Sequence, residues 1–172
     1  MRTILVAPYD PAWPGAFAAI KDELASTLSE SILGIEHVGS TSVPGLAAKP
    51  VIDIDVVIKD YSVFELVKMR LAAIGYRHEG NLGIKDRQVF KYEGKEHLLT
   101  HHLYVCPAYS EELKRHIAFR DALRANPEAR AWYAEAKMLA AKHYPHDIDA
   151  YITAKGPCVQ EILEKYGYRE EA

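Results

Sequence analysis

Apolar residues recur every three or four positions at Trp13, Phe17, Ile20, Leu24 and Leu28, the spacing of an amphipathic helix with one face on a core. Asp10 and Pro11 stand before it as a carboxylate cap followed by a residue that needs no amide partner. Gly34 closes the helix. Thr3–Ala7 reads as a short strand ahead of it and Ile35–Val38 as another behind it. Gly39–Pro50, dense in Gly, Ser, Thr and Pro, reads as a loop. Val51–Ile58 is apolar on both alternating faces except at Asp53 and Asp55, the pattern of a central strand covered on both sides.

Ser62 and Glu65 have capping-box spacing ahead of Val63, Leu66, Val67, Leu71 and Ile74, which predicts a second helix ending at Gly75. Gln88–Tyr92 and Leu98–Cys106 then read as a hairpin joined through Glu93, Gly94 and Lys95. The remaining third is helical, with Ser110 and Asn126 as caps, Pro127 in a first turn, and breaks at Tyr144-Pro145 and Gly156-Pro157. Mixed strands and helices followed by helices alone predict an α+β chain, with a sheet core over about residues 1–107 and a helical part over about 108–172.

Composition narrows the classes. The chain has 172 residues, 49% hydrophobic and 26% charged, which predicts one folded domain with a substantial core. A net charge of −3 argues against general nucleic-acid binding, which usually goes with a basic excess. The longest apolar runs, such as Ile4–Ala7, are far shorter than the roughly 20 residues of a membrane span. Without an apolar leader of the secretory kind, a cytoplasmic location is expected. Cys106 and Cys158 lack paired spacing and are expected to be reduced and structural.

The candidate chemistry lies in the central strand. Side chains alternate along a strand, so Asp53 and Asp55 share one face about 7 Å apart. Two like charges among Val and Ile need a cation or donors. A divalent metal is the economical answer, and hard oxygen ligands suit Mg²⁺ or Mn²⁺. Upstream, Gly39, Ser40, Thr41 and Ser42 follow a strand, and such a turn aims amides and hydroxyls at a phosphate.

The run Ile35-Glu36-His37-Val38-Gly39-Ser40-Thr41-Ser42-Val43-Pro44-Gly45-Leu46-Ala47-Ala48-Lys49-Pro50-Val51-Ile52-Asp53-Ile54-Asp55-Val56 resembles the signature of the GrpB-like family. Tyr9–Pro14, His102–Val105 and His116–Arg124 extend the resemblance over nearly the whole chain. It implies a nucleotidyltransferase-like mixed sheet flanked by helices, similar to the polymerase β-like superfamily. There a Gly-Ser at a strand end precedes an acid-hydrophobic-acid strand, a pattern that Gly39-Ser40 and Asp53, Asp55 match. The implied activity is metal-dependent transfer of a nucleoside monophosphate from a nucleoside triphosphate to an unknown small-molecule or protein acceptor. The alternative is a non-catalytic nucleotide- or phosphate-binding module, since related domains occur fused to a coenzyme A biosynthetic kinase. Superfamily catalysts typically add a third carboxylate from a later strand. Thr100–Val105 offers none, but His102 and Tyr104 share a face, and His102 is the candidate base.

At about 100° per residue, His116, Arg120 and Arg124 fall in one sector of the helix after Ser110, together with Leu113, Ile117 and Leu123. Inward arginines must meet an anion: the two aspartates, another protein acid, or substrate phosphates. The expected phosphate ligands are therefore Gly39, Ser40, Thr41, Lys49, His116, Arg120 and Arg124. Arg87, Lys137 and Lys155 carry a weaker signal. His37 reads as structural. His97, His101, His102 and Cys106 lie on one hairpin without the paired spacing of a structural zinc site.

Overall fold

A computed structural model describes residues 2–169. Helix α1 (Trp13–Leu28) is followed by β1 (Gly34–Val38), β2 (Ile52–Ile58), α2 (Phe64–Ala73), β3 (Tyr76–His78), β4 (Gln88–Tyr92) and β5 (His101–Pro107). Three helices complete the chain: α3 (Glu111–Ala125), α4 (Pro127–His143) and α5 (Ile148–Lys165). The strands form one mixed sheet in the order β1-β2-β5-β4-β3, in which only the β2/β5 pair is parallel.

The alternation in β2 decides which face does what. Ile52, Ile54, Val56 and Ile58 are fully buried and join Trp13, Ile20, Leu24, Leu28, Val67 and Leu71 in one core. Each such aliphatic side chain contributes about 1.5–3 kcal/mol by leaving water, so this face fixes the strand against α1 and α2. The opposite face, with Asp53 and Asp55, is turned toward α3. A second core joins Val43 and Leu46 of the β1–β2 loop to Leu123, Ala129, Tyr133, Cys158 and Ile162 of α3, α4 and α5. That core fastens the helical part over the loop that begins at Gly39. Both cysteines are buried and free.

Several expectations are corrected. Thr3–Ala7 forms no strand: Ala7 makes one isolated bridge to Ala48, and the Ile4 amide donates to the Pro145 carbonyl at 2.8 Å. The segment therefore crosses the helical part without adding to the sheet. Ser62 does not cap α2. Asp60 accepts from the Ser62 amide in a preceding 3₁₀ turn, and Leu66 is left exposed. Leu98–Thr100 stay outside β5, which begins at His101 where its parallel pairing with Ile52 of β2 starts. The break expected at Gly156-Pro157 is absent, since α5 runs through both residues. Asn126 stands at the start of α4, but its side chain donates back to the Ala122 carbonyl. The edge strand β3, three residues after Gly75, gave no sequence signal of its own.

Gly39 is the glycine at which a Cβ would have the least room. Its φ of 73° and ψ of −176° belong to a region essentially reserved for glycine. A Cβ there would lie 3.0 Å from Cγ and 3.1 Å from Cβ of Asp53. Gly45, with φ 82°, has open space around it. Gly39→Ala is therefore expected to cost roughly 2–3 kcal/mol in urea unfolding, against about 1 kcal/mol for Gly45→Ala. Equal costs for the two variants would remove the steric claim.

Candidate active site

Asp53 and Asp55 are compensated differently, and both partners are histidines. β2 and β5 run parallel with Asp53 opposite His102 and Asp55 opposite Tyr104. Nδ1 of His102 lies 2.8 Å from Oδ1 of Asp53. A carboxylate accepts only, so this nitrogen is the donor and Nε2 keeps its lone pair whenever the ring is neutral. The other oxygen of Asp53 lies against Gly39. Asp55 has no exposed surface. Its Oδ2 accepts from Nδ1 of His116 at 2.6 Å, while its Oδ1 is buried with no partner.

His116 also donates through Nε2 to Glu112 at 3.0 Å. Burial alone would lower its pKa, but the hydrogen bonds to Asp55 and Glu112 outweigh it and raise the imidazole to about 9. Burial pushes the Asp55 carboxyl above the usual range, and His116 opposes that shift. We read the pair as imidazolium and carboxylate, bridged to Glu112. Tyr104, pushed up to about 12 by burial and the nearby Asp53, stays neutral, with the Arg87 guanidinium 4.7 Å over its ring.

Gly39, Ser40 and Asp53 open onto a cavity of about 290 Å³ whose far wall carries Arg115, Lys155 and Gly156. Behind Ser40 lies a lysine that carried only a weak signal in the sequence. Lys137 is 1% exposed; its Nζ donates to Ser40 Oγ at 2.9 Å and to the Ala47 carbonyl. Burial, and then Lys155 and Lys49, lower its pKa to about 7. Tyr133 hydrogen-bonds the same serine and lies 4.7 Å under the Lys137 ammonium. Lys49 and Lys155 flank the Tyr151 ring at 5.3 and 5.1 Å. Among the described residues none of these three lysines forms an ion pair.

The other expected phosphate ligands are placed elsewhere. Thr41 is buried, donating to the Val51 carbonyl and accepting from His37. His37 stacks on Phe17 and is lowered to about 4, chiefly by burial, so it is neutral and structural. Arg120 bonds Glu36 at 2.7 Å and the His37 carbonyl, and Arg124 bonds the Ser42 carbonyl. Of the anions open to Arg120, the protein acid is the one it meets, and the helix is thereby tied to β1 and its loop. The sequence held a sharper signal for Lys137 than was read: it interrupts the buried stripe Ala129, Tyr133, Ala140 of α4, where a lysine without a partner is costly.

Among the described residues no group of three or more His, Cys, Asp or Glu is arranged to hold a metal. Mg²⁺ commonly takes only one or two protein carboxylates, with water and phosphate oxygens as the rest. The orphaned Oδ1 of Asp55 and the Asp53 oxygen beside Gly39, two positions apart on one strand face, suit such an ion.

Two stability measurements check these electrostatics. His116→Ala leaves Asp55 buried beside Glu112 without its cation and is expected to cost roughly 3–5 kcal/mol. Adding Asp55→Asn should recover part of that loss in a double-mutant cycle. For Lys137, the unfolded chain binds more protons than the folded one between pH 7 and 10.5. Wild-type stability relative to Lys137→Met should therefore rise by about 1.4 kcal/mol per pH unit between pH 8 and 10. A flat difference would place the ammonium in water.

Comparison with known proteins follows this geometry. The profile of the GrpB protein family matches residues 3–165. A UPF0157 protein of Pseudomonas aeruginosa is 39% identical over 93% of this chain and 66% of its own length. UPF0157 protein YqkA of Bacillus subtilis is 32% identical over 95% of this chain and 47% of its own. The chain thus spans about half to two thirds of these relatives. The crystal structure of conserved protein GrpB from Enterococcus faecalis superposes with a TM-score of 0.80 at 35% identity, covering 94% of this chain and 99% of that one. The Cid1 poly(U) polymerase, in an H336N mutant bound to MgATP, matches at a TM-score of 0.55 and 12% identity over 80% of this chain and 43% of its own. That likeness is one of fold, the nucleotidyltransferase-like α+β architecture. The chain belongs to the GrpB family.

Proposed function

We propose that this chain is a metal-dependent nucleotidyltransferase that moves a nucleoside monophosphate from a nucleoside triphosphate to an acceptor hydroxyl. The observation that carries the reading is the placement of Asp53. It is pinned between Gly39 and His102, with Asp55 behind it, on the floor of a cavity whose other wall is cationic. Asp53 and Asp55 would hold Mg²⁺ or Mn²⁺, and the ion would neutralise charge on the phosphoryl oxygens. Support for a nucleotide comes from the fold shared with Cid1, whose structure holds MgATP.

On this reading Ser40 and the adjoining amides receive the β- and γ-phosphates, with Lys155 and Arg115 facing them from α5 and α3. Lys137 fixes the Ser40 hydroxyl from beneath and takes up a proton when the anion arrives. The acceptor oxygen forms a bond to the α-phosphorus, the bond from that phosphorus to the β-bridging oxygen breaks, and pyrophosphate leaves. The acceptor's proton passes to Nε2 of His102, whose other nitrogen is already held by Asp53. Positioning and fixed charge supply most of the acceleration in phosphoryl-type transfers.

Gly156 adds support. It lies mid-helix on the cavity wall, with no atom beyond its chain neighbours and its own helix within 4 Å of where its Cβ would be. A glycine suits the helical position before Pro157, whose ring would crowd a Cβ, and it also leaves the cavity wall open to close approach of a ligand.

A second reading is favoured by one observation: β5 presents His102 in place of a third carboxylate. It makes the chain a binding module without turnover. Saturating MgATP at about 100 Kd should add roughly 2.7 kcal/mol of stability, a rise of about 5–10 °C in Tm, under either reading. Pyrophosphate release from one of the nucleoside triphosphates, lost in Asp53→Asn and His102→Gln, is expected only of a transferase. Gly156→Leu, which places bulk on the cavity wall, should weaken MgATP binding. If no triphosphate shifts Tm, both readings fail.

A further inference from the structure

A cavity of about 660 Å³, larger than the one at Ser40, lies outside the proposed nucleotide site. Its walls are the N-terminal segment, the stretch Lys49–Val51 and the turn that leads into α5. Two contacts hold the N-terminal wall in place: the Ile4 amide on the Pro145 carbonyl and the Ala7–Ala48 bridge. The volume is that of a pocket for a small molecule.

The lining has two chemical characters. Arg2, Lys49, His102 and His146 contribute cationic or cation-forming groups, and no Asp or Glu lines the cavity. Among the described residues neither Arg2, Lys49 nor His146 forms an ion pair. Apart from Thr3 and Thr100 the remaining wall is apolar, and much of it is wet: Leu5 is 65% exposed and Ile148 44%. Unpaired cations beside exposed aliphatic surface suit a ligand that carries an anionic group and an apolar body.

Position gives the pocket its role. His102 borders this cavity and bonds Asp53, which borders the cavity beneath Ser40. The two spaces therefore meet at the Asp53–His102 pair from opposite sides. A third hollow, over β4 and β5, also reaches His102, but its Arg87 is already stacked on Tyr104.

Resting on the transferase reading above, we propose that the cavity between Arg2–Leu5, Lys49–Val51 and Ile148 is the acceptor pocket, and that it selects a small hydroxyl compound bearing an apolar portion and a carboxylate or phosphate. The hydroxyl is presented at His102 and the anionic group at Lys49 and His146.

The test is calorimetric titration of the full chain with 4-phenylbutyrate and 2-phenylethyl phosphate, and with neutral 4-phenylbutanamide as the match. At least one anionic compound should bind tenfold or more tightly than the amide. Lys49→Ala should reduce that affinity five- to tenfold and abolish most of the preference for charge. Ile148→Trp, at a half-exposed position that tolerates bulk, should fill the pocket and lose binding while its Tm stays near wild type. Arg87→Ala should bind normally. MgATP is titrated into every variant and should bind wild type and Ile148→Trp alike. Equal affinity for anionic and neutral compounds, no binding by any of them, or loss in Arg87→Ala with retention in Ile148→Trp would overturn the pocket while leaving the transferase reading intact. Failure of wild type to bind MgATP would instead remove that reading and the acceptor role with it.

Discussion

A carboxylate with no access to water sits on the second strand, and the arrangement around it follows from the need to compensate that charge. Desolvating an ion costs several kcal/mol even after relaxation. Asp55 meets the cost with the His116 imidazolium, and Glu112 keeps that imidazolium charged. Helix α3 is thereby set at one height over the sheet, with Arg120 fixing the same helix to Glu36 further along. One oxygen of Asp55 still lacks a partner. A group that is buried, ionised and half satisfied belongs to a functional site more readily than to a core, because an apolar residue of similar size would serve packing better.

The lysines answer a complementary problem. Burial, and then the charge of Lys155, lower both Lys137 and Lys49, and among the described residues none of the three lysines meets a carboxylate within ion-pair distance. Three ammonium groups around two tyrosine rings are tolerable only if one gives up its proton or an anion arrives. The free protein moves toward the first course at Lys137, whose pKa is lowered to about 7 while its nitrogen donates to Ser40 Oγ and to the Ala47 carbonyl. Triphosphate binding would impose the second. The Ser40 turn and the α4 helix are thus coupled by one proton, and the second core, from Val43 and Leu46 to Ile162, keeps them close enough for the coupling to matter.

The frame was legible because its signals are local. The α1 stripe, the Gly39–Ser40 turn and the Asp53–Asp55 alternation each reflect one element's own period, and each stands where the pattern put it. The misses have distant causes. Pro157 continues a helix because the turns after it are held by the second core through Cys158, Val159 and Ile162, where tertiary packing outweighs a missing amide. β3 is three residues long and exists only because β4 offers it an edge. Arg120 is half-buried and faces inward as expected, whereas Arg124 is exposed and reaches back only to the Ser42 carbonyl. The anion that Arg120 meets lies on β1, eighty-four residues away, and no helical wheel contains that information. Lys137 stood in plain sight as a lysine in an apolar stripe; its partner Ser40 did not.

The histidine on β5 changes what kind of centre the two acids can form. A carboxylate at position 102 would stand beside Asp53 across the parallel pair, adding a fourth acid to the group of Asp53, Asp55 and Glu112. Such a set is tolerable with two divalent ions, which clamp both the attacking and leaving oxygens. With His102 there instead, Asp53 gives one oxygen to an N–H donor and keeps one for a cation. Under the proposed transferase reading the centre would suit a single ion, and proton removal would move from solvent or a carboxylate to an imidazole already oriented by Asp53. Fewer acids also mean less repulsion toward an anionic acceptor, and that is the chemistry presented by the cationic pocket on the far side of His102.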